Sequence, residues 1–555
     1  MTTSIYDKNT ALLKRFHPYL RLKRGITQRT ITETTKDGLV TLKLSSGRYV
    51  YSPRNPIQTA ERMTSELLDK RFDMLVIVGF GLGYHINQII KKKKDDNFFL
   101  LILEPVTENF LLSLQYIDLE TILTYPKILL WVGETTQQII ARFDDFFNPI
   151  FIRRIETFRH PIIYDEYKIA YSQEEERVKN RIDIRVGSAM TMSRFGKRWT
   201  QNIINNIPEM LQKKWSRISR GVFKLDNVIV AGSGPSLDDS IPFILNHRQK
   251  TVVAAVDSAL IPLQTAGIIP DIVLSIDPQE ECARFFEIPP ANKTLFCTSL
   301  LSPSSVFNKN YFLRGLFETG HPLERFILGS FAEDIETGGG SVTNVLLEML
   351  IMNNPKRIIL AGVDLGFPDN SRYVRGITFG GVDKFASYEN TIYKSIFEST
   401  CPPIKNNEGK MILTTYALNR YRICLEEVIA SHPEIEFIQT SSRGAYINGT
   451  RFLRWNEINI KNTSYKGHFL NKKETLSPDV KHIRKKLLEI LAYIDKHSKE
   501  NMEINAILET LMADRFLARE KDCPIDRNVI EIETTRAADF LSSRISALLK
   551  HPGFY

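Results

Sequence analysis

The sequence predicts an α/β protein with two parallel-sheet domains followed by a helical C-terminal domain. Three observations carry that expectation. Short, almost continuously apolar runs (MLVIV, FLLILE, NVIVAG, TVVAAV, DIVLSI, RIILAG) recur between helical patterns, as in strands buried on both faces of a parallel sheet. Two of these runs lead straight into glycine turns, GFGLG and GSGPS. Past residue 475 the strand patterns stop, and Ile483, Leu487, Ile490 and Ile494 fall at helical spacing. At roughly 100–200 residues per domain, a chain of 555 residues has room for about three to five domains.

In order, TLKLSSGRYVYSP (41–53) reads as a hairpin with a Ser-Gly turn, and QTAERMTSELLDKR (58–71) as a helix. MLVIVGFGLGYHINQIIKKKK followed by NFFLLILEP is a βαβ unit, and ILLWVG (128–133) a third strand. These form a first domain over 1–164. Lys91 to Lys94 are a solvated helix end, well placed for the helix dipole. Residues 165–222 are polar and helical, a connector in which Pro208 is expected to stop the helix of FGKRWTQNIINNIP. The central domain, 223–460, has candidate strands at 227–232, 251–256, 271–276, 294–300, 357–362 and 435–440. Residues 475–555 read as about three helices suited to docking or self-association.

Composition narrows the function classes. Hydrophobic residues are 43% and charged residues 25%, ordinary for a soluble protein. No run reaches the roughly 18–20 apolar residues of a membrane span. The opening MTTSIYDKNTALLKRFHPYL has no apolar signal region, so a cytoplasmic location is expected. The five cysteines form no CxxC, and the ten histidines no HxH or HxxxH. Neither a zinc site nor a disulfide framework is indicated. Lys plus Arg number 73 against 64 Asp plus Glu, a net +9. That suits an anionic ligand such as a nucleotide and makes no case for nucleic acid.

The polar residues collect at predicted strand ends, where ligands bind in parallel sheets. The first central strand runs into Gly232, Ser233, Gly234, Pro235 and Ser236. Two glycines allow close backbone approach, and a following helix N-terminus attracts an anion. It is neither a Walker A loop nor GxGxxG. Asp257 and Ser258 end the next strand, and Asp277 and Pro278 the third. The two aspartates can bind sugar hydroxyls, hold a metal, or act as general base, or they can simply cap helices. Gly338, Gly339, Gly340 and Ser341 precede a helix, and Asp364 follows the strand RIILAG. The glycine loops suit a phosphate; the carboxylates suit hydroxyls, amines or a bridging cation.

The series AGSGPSL, VDSAL with GIIPDIVLSIDPQ, GGGSVTN and LAGVDLGF resembles the Maf family, the motility-associated factors that glycosylate flagellin. GFGLGYHI with LILEP resembles that family's N-terminal domain, FGKRWTQNIINNIP its connector and TSSRGAYINGT the end of its central domain. The resemblance implies two Rossmann-like parallel-sheet domains, the central one sialyltransferase-like. It implies transfer of a nonulosonic acid, of pseudaminic or legionaminic type, from a CMP-activated donor to Ser or Thr hydroxyls of flagellin. Similarity to bacterial sialyltransferases places Ser233, Gly234, Pro235, Ser236, Gly340, Ser341, Gly362 and Asp364 around the donor. Asp257 and Asp277 stand where those enzymes have asparagines, so their contacts do not transfer atom for atom. The histidine base of those enzymes has no counterpart, since no histidine lies between His321 and His432. Tyr373 has a suitable loop position but is a poor base, and Asp257 and Asp277 are the catalytic candidates. No cofactor is required by this chemistry; a divalent metal and homo-oligomerisation stay open.

Two rivals come from other classes. One is a pterin diphosphokinase with ATP, whose magnesium the aspartates would hold. The other is a flagellin-binding protein without catalysis. The turn Gly79 to Gly83 with Glu104 also resembles a methyltransferase fingerprint, in which the acid binds a ribose; His85 beside it reads as structural.

Overall fold

The computed structural model describes residues 4–22, 30–94, 96–133, 135–223, 225–329, 335, 341–368, 374, 403–460, 475–476, 479–495, 501–517 and 527–552. The chain divides into two compact units between Val186 and Gly187.

In the first unit, β1 (Ile31–Thr34) pairs antiparallel with β2 (Val40–Lys43). The hairpin expected over 41–53 is different. Its turn is present, with Leu44 N–H donating to Arg48 C=O at 2.9 Å. The returning segment adds only a bridge at Tyr49, because Val50 and Tyr51 turn into the core. The helix Pro56–Leu68 starts on an Asn55 cap with proline at its first position, both favoured there. β3 (Met74–Val78), β4 (Phe99–Glu104), β5 (Ile128–Val132) and β6 (Ile155–Arg159) form a parallel sheet in the order β5-β4-β3-β6. β3 is buried at every residue. β6 was not among the expected strands. It is an edge strand, IETFR, with alternating exposure and no apolar run.

One helix then runs from Lys168 to Gln212 without a break at Pro208. The sequence expectation of a stop there is corrected. Ile203, Ile204, Ile207 and Met210 are buried on both sides of the proline. Their packing outweighs one lost backbone bond near the helix end.

The second unit carries β7 (Trp215–Arg217), β8 (Asn227–Ala231), β9 (Val252–Val256), β10 (Ile272–Ser275), β11 (Leu295–Thr298), β12 (Leu313–Leu316), β13 (Arg357–Ala361), β14 (Ile404–Lys405), β15 (Met411–Ile412), β16 (Glu436–Gln439), β17 (Arg451–Phe452) and β18 (Thr475–Leu476). Ten of them form one sheet, β17-β16-β13-β8-β9-β10-β11-β12-β7-β18, parallel except for β18 against β7. From β8 the chain steps one way through β9 to β12, then returns to β13 on the other side. The topological switch point therefore lies between β8 and β13. β14 and β15 form a small antiparallel hairpin. β7 makes the end of the expected connector part of this sheet.

The three C-terminal helices are Val480–Asp495, Met502–Leu517 and Arg527–Leu549. They belong to the same compact unit as the central sheet, with Ile483, Leu487 and Ile490 buried. No helix among the described residues is long and apolar enough to cross a membrane.

Candidate nucleotide and acid-pair site

At the switch point two glycine backbones cross. Gly232 N–H donates to Ala361 C=O at 2.8 Å, and Gly234 N–H to Gly362 C=O at 2.8 Å. A Cβ on Gly232 would stand 2.5 Å from the Gly362 carbonyl oxygen, and one on Gly234 would collide with the Asp364 carboxylate. Glycine is required here by approach, and at Gly362 also by a φ of +66°.

Asp364 fastens this loop. Its Oδ2 accepts the Ser236 N–H at 2.9 Å, and its Oδ1 the Ser441 hydroxyl at 2.7 Å. Burial raises its pKa while these bonds and the nearby Arg443 pull it down. Asp364 is a buried support of the loop, with both oxygens engaged inside the fold, and so is not placed to grip a ligand directly.

The loop's other face is half open. Ser233, Gly234 and Pro235 are partly exposed, and the Ser258 hydroxyl donates to Ser233 Oγ at 2.8 Å. The ends of β8 and β9 thus meet through two hydroxyls. Below Ser258, Asp257 is only 4% exposed. Its Oδ2 accepts the Ser275 hydroxyl at 2.7 Å and its Oδ1 the Ser258 N–H at 2.7 Å. Burial pushes its pKa up to about 7; the Ser275 hydroxyl opposes this and the charge of Asp277 adds to it. Asp277 is less buried and accepts Gln279 N–H at 3.0 Å. Burial raises its pKa also, against the Gln279 bonds. The two aspartates thus follow adjacent strands, β9 and β10, and the charge of Asp277 acts on Asp257.

Pro278 is buried behind Asp277. Ser341 is the N-cap of the helix Val342–Ile351 and makes no side-chain cap bond. Gly338, Gly339, Gly340 and Tyr373 lie outside the described residues. No group of three or more His, Cys, Asp or Glu that could hold a metal ion occurs among the described residues.

Sequence reasoning missed several participants. Ser275 and Ser441 lie inside the segments DIVLSIDPQ and TSSRGAYINGT, where nothing in the sequence marks them out; each hydroxyl bonds a buried carboxylate. Arg443, in the segment TSSRGAYINGT, reaches across to Asp239 in the first turn of the helix Leu237–His247, Nη2 to Oδ2 at 2.7 Å. Its side chain keeps 40% exposure.

The N-terminal glycine turn is filled from within. Gly79, Gly81 and Gly83 all have positive φ, and the whole turn is buried. Tyr51, His160, Ile163 and Ile122 crowd the positions a side chain would take. Glu104 does not face a ribose. Its Oε2 accepts Phe80 N–H at 2.8 Å, and its Oε1 accepts Val106 N–H at 3.0 Å and the Tyr171 hydroxyl at 2.6 Å. His85 is structural as expected: fully buried, with Nδ1 2.6 Å from the Tyr51 hydroxyl.

Fold and site define a chain with one parallel α/β unit whose glycine turn is buried and a second whose switch point carries a half-open serine and glycine loop. The family model described as "Glycosyltransferase Maf N-terminal domain" matches residues 46–127, and that described as "6-hydroxymethylpterin diphosphokinase MptE-like" matches residues 201–370. Residues 46–127 are thus similar to the N-terminal domain of Maf glycosyltransferases, and residues 201–370 to the MptE-like domain. A solved structure of the MAf glycosyltransferase from Magnetospirillum magneticum AMB-1 is similar over 98% of this chain and 95% of that one, with a TM-score of 0.57 and 16% identity; it shows a shared fold. Two uncharacterized proteins of Treponema pallidum (strain Nichols) match as well. One is 34% identical over 87 residues (15% of this chain, 40% of that protein), the other 24% over 252 residues (44% and 42%). The matched stretches span about two fifths of those relatives' lengths.

Proposed function

We propose that the chain is a glycosyltransferase that moves a nonulosonic acid, of pseudaminic or legionaminic type, from a CMP-activated donor to Ser or Thr hydroxyls of flagellin in the cytoplasm. The observation that carries this reading is the juxtaposition at the switch point. A half-open serine and glycine loop, suited to a phosphate, stands beside an acid pair of which one member has a pKa of about 7. The hydroxyls of Ser233 and Ser258 and the N-terminus of the helix Leu237–His247 stabilise the departing phosphate, and no metal is required. Arg443 adds positive charge at the same mouth. The acceptor hydroxyl attacks the anomeric carbon, the bond to the CMP oxygen breaks, and CMP leaves with the bonding electrons. Asp277, the more exposed carboxylate, takes the acceptor proton; Asp257 behind it tunes that basicity and faces the developing positive charge.

The test has two stages. Purified protein is titrated with CMP, ATP and GDP, with and without magnesium, for wild type, Ser233→Trp and Asp257→Ala. Metal-independent, CMP-selective binding lost in Ser233→Trp supports the donor assignment. Incubation with CMP-activated pseudaminic acid and flagellin should then add one sugar mass per modified hydroxyl.

The match of residues 201–370 to an MptE-like model favours a second reading, diphosphate transfer from ATP. Two carboxylates with nucleotide phosphates are a common magnesium environment. Magnesium-dependent ATP binding with no affinity for CMP would move the assignment there.

A further inference from the structure

The last turns of the helix Lys168–Gln212 read Asn202-Ile203-Ile204-Asn205-Asn206. Asn202 and Asn206 are four residues apart and share a face; Asn205 points to solvent. The shared face is buried, with Asn202 7% and Asn206 0% exposed. Leucines would fill such a face at lower desolvation cost. The asparagines are there to meet backbone carbonyls. Asn202 Nδ2 donates to Pro278 C=O at 3.2 Å and to Leu301 C=O at 2.8 Å. Asn206 Nδ2 donates to Leu300 C=O at 3.1 Å and to Ser302 C=O at 2.8 Å, and its Oδ1 accepts the Ser304 hydroxyl at 2.9 Å. Both amide protons of each residue are thereby used.

These carbonyls belong to the loops after β10 and β11, the first of which carries Asp277. The second continues inward. The Ser302 hydroxyl donates to Ser275 C=O at 3.0 Å and lies 2.8 Å from Thr298 Oγ1, which donates to the same carbonyl at 2.9 Å. The Ser275 hydroxyl then holds Asp257 Oδ2 at 2.7 Å. Buried polar contacts thus lead from the helix through Ser302 and Ser275 to the Asp257 carboxylate, and Asn202 holds the carbonyl of Pro278, the residue next to Asp277.

We propose that Asn202 and Asn206 are positioning residues of this site, clamping the β10 and β11 loops so that Asp257 and Asp277 keep their mutual geometry. The catalytic consequence rests on the transferase reading; the clamp itself does not. Irregular loops leave their carbonyls without ladder partners, and the two amides supply those partners from a rigid element.

The experiment uses the full-length chain as wild type, Asn202→Ala, Asn206→Ala and the exposed control Asn205→Ala. Amide hydrogen exchange is followed in the segments 275–282 and 298–304. Exchange there should quicken at least tenfold in the first two variants and stay unchanged in the control. With CMP-activated pseudaminic acid as substrate, kcat should fall at least tenfold while the donor KM stays within threefold. If Asn206→Ala fails to fold, Asn202→Ser, which keeps a single donor, should show both effects at intermediate size. Unchanged exchange in both segments overturns the clamp. Faster exchange with kcat unchanged, or with KM rising in step with the loss of rate, overturns the positioning role. A wild type that does not turn over the CMP donor defeats the transferase reading instead, and the exchange data still decide the clamp.

Discussion

The two glycine turns of this protein start alike and end differently. Each follows a buried parallel strand and opens a helix at the carboxyl edge of its sheet. At Gly79 to Gly83 the positive φ angles let the turn fold inward. Tyr51, His160 and Ile163 then crowd the positions that side chains would take on the turn, and Glu104 is bound to two backbone N–H groups and a tyrosine. At Gly232 to Ser236 the glycines serve to pass another backbone, that of Gly362. The hydroxyls of Ser233 and Ser258 are left at a half-open edge. A glycine turn therefore marks a backbone constraint, and only its surroundings decide whether that constraint serves a ligand or the core.

The sharpest way to break this comparison is to remove the acid pair's buried member. Asp257→Asn keeps the volume and removes the charge. Donor turnover should fall by about 10²–10³, the range for one lost electrostatic contact to the transition state, because Asp257 tunes the Asp277 base and faces the developing positive charge, while CMP affinity stays within a few fold. In the wild type, log(kcat/KM) should rise with slope one as pH approaches about 7, then level as Asp257 ionises; the variant should lack that limb. A wild-type profile flat from pH 5 to 8 would remove Asp257 from the mechanism. The stability sign is opposite. A carboxyl raised from about 4 unfolded to about 7 folded contributes stability below pH 4, which is lost as pH rises through 7.

Next in size is ligand affinity itself. Ser233→Trp places an indole where the Ser233 and Ser258 hydroxyls meet and should weaken CMP binding at least about 100-fold, the order of 3 kcal/mol. Glu104→Gln, the matched change at the other turn, should leave CMP affinity within twofold. Calorimetric titration of both variants checks the pair. Equal losses would mean that the N-terminal turn holds a nucleotide after all.

Which parts of this were legible in the sequence follows from where each signal resides. Buried central strands such as MLVIV and NVIVA announce themselves because both faces are covered. The edge strand IETFR and the two-residue strands β17 and β18 do not, since half of an edge strand is polar and two residues have no period. Asp257 and Asp277 were visible as acids at strand ends. The inward roles of Asp364 and Glu104 were not, because a strand-end position does not reveal which way a carboxylate turns. Asn202, Asn206, Ser275 and Ser441 were invisible as participants. Their partners, backbone carbonyls for the asparagines and carboxylates for the serines, lie roughly 20 to 100 residues away in sequence, with no composition signature.

The third test reads stability in the first unit. His160 is fully buried, and burial lowers its pKa to about 3; burial also lowers that of His85, with the neighbouring His160 adding to it. Unfolding frees both to bind protons below about pH 6.5, so both remove stability as pH falls below that point, His160 by about 1.4 kcal/mol per pH unit. Glu104, raised to about 7, holds a proton in the folded state over the same range and acts in the opposite direction. Replacing His160 by Asn should flatten the acid slope by about 1.4 kcal/mol per pH unit in urea unfolding curves. An identical slope in wild type and variant would show that His160 is protonated in the folded protein.

The smallest effect expected is at Arg443. It is partly exposed and ion-paired with Asp239, so its attraction for an incoming phosphate is screened by solvent and shared with a carboxylate. Arg443→Ala should weaken CMP binding by about three- to tenfold and cut the salt dependence of that binding between 50 and 300 mM NaCl, while cytidine, which has no phosphate, should bind wild type and variant alike. Asp239→Asn should act in the opposite direction, tightening CMP by about two- to threefold because the guanidinium loses its competing anion. The two substitutions separate charge from shape at this loop. If Arg443→Ala weakens cytidine as much as CMP, the residue supports the loop through its bond to Asp239. The phosphate would then be held without Arg443, by the hydroxyls of Ser233 and Ser258 and the helix N-terminus.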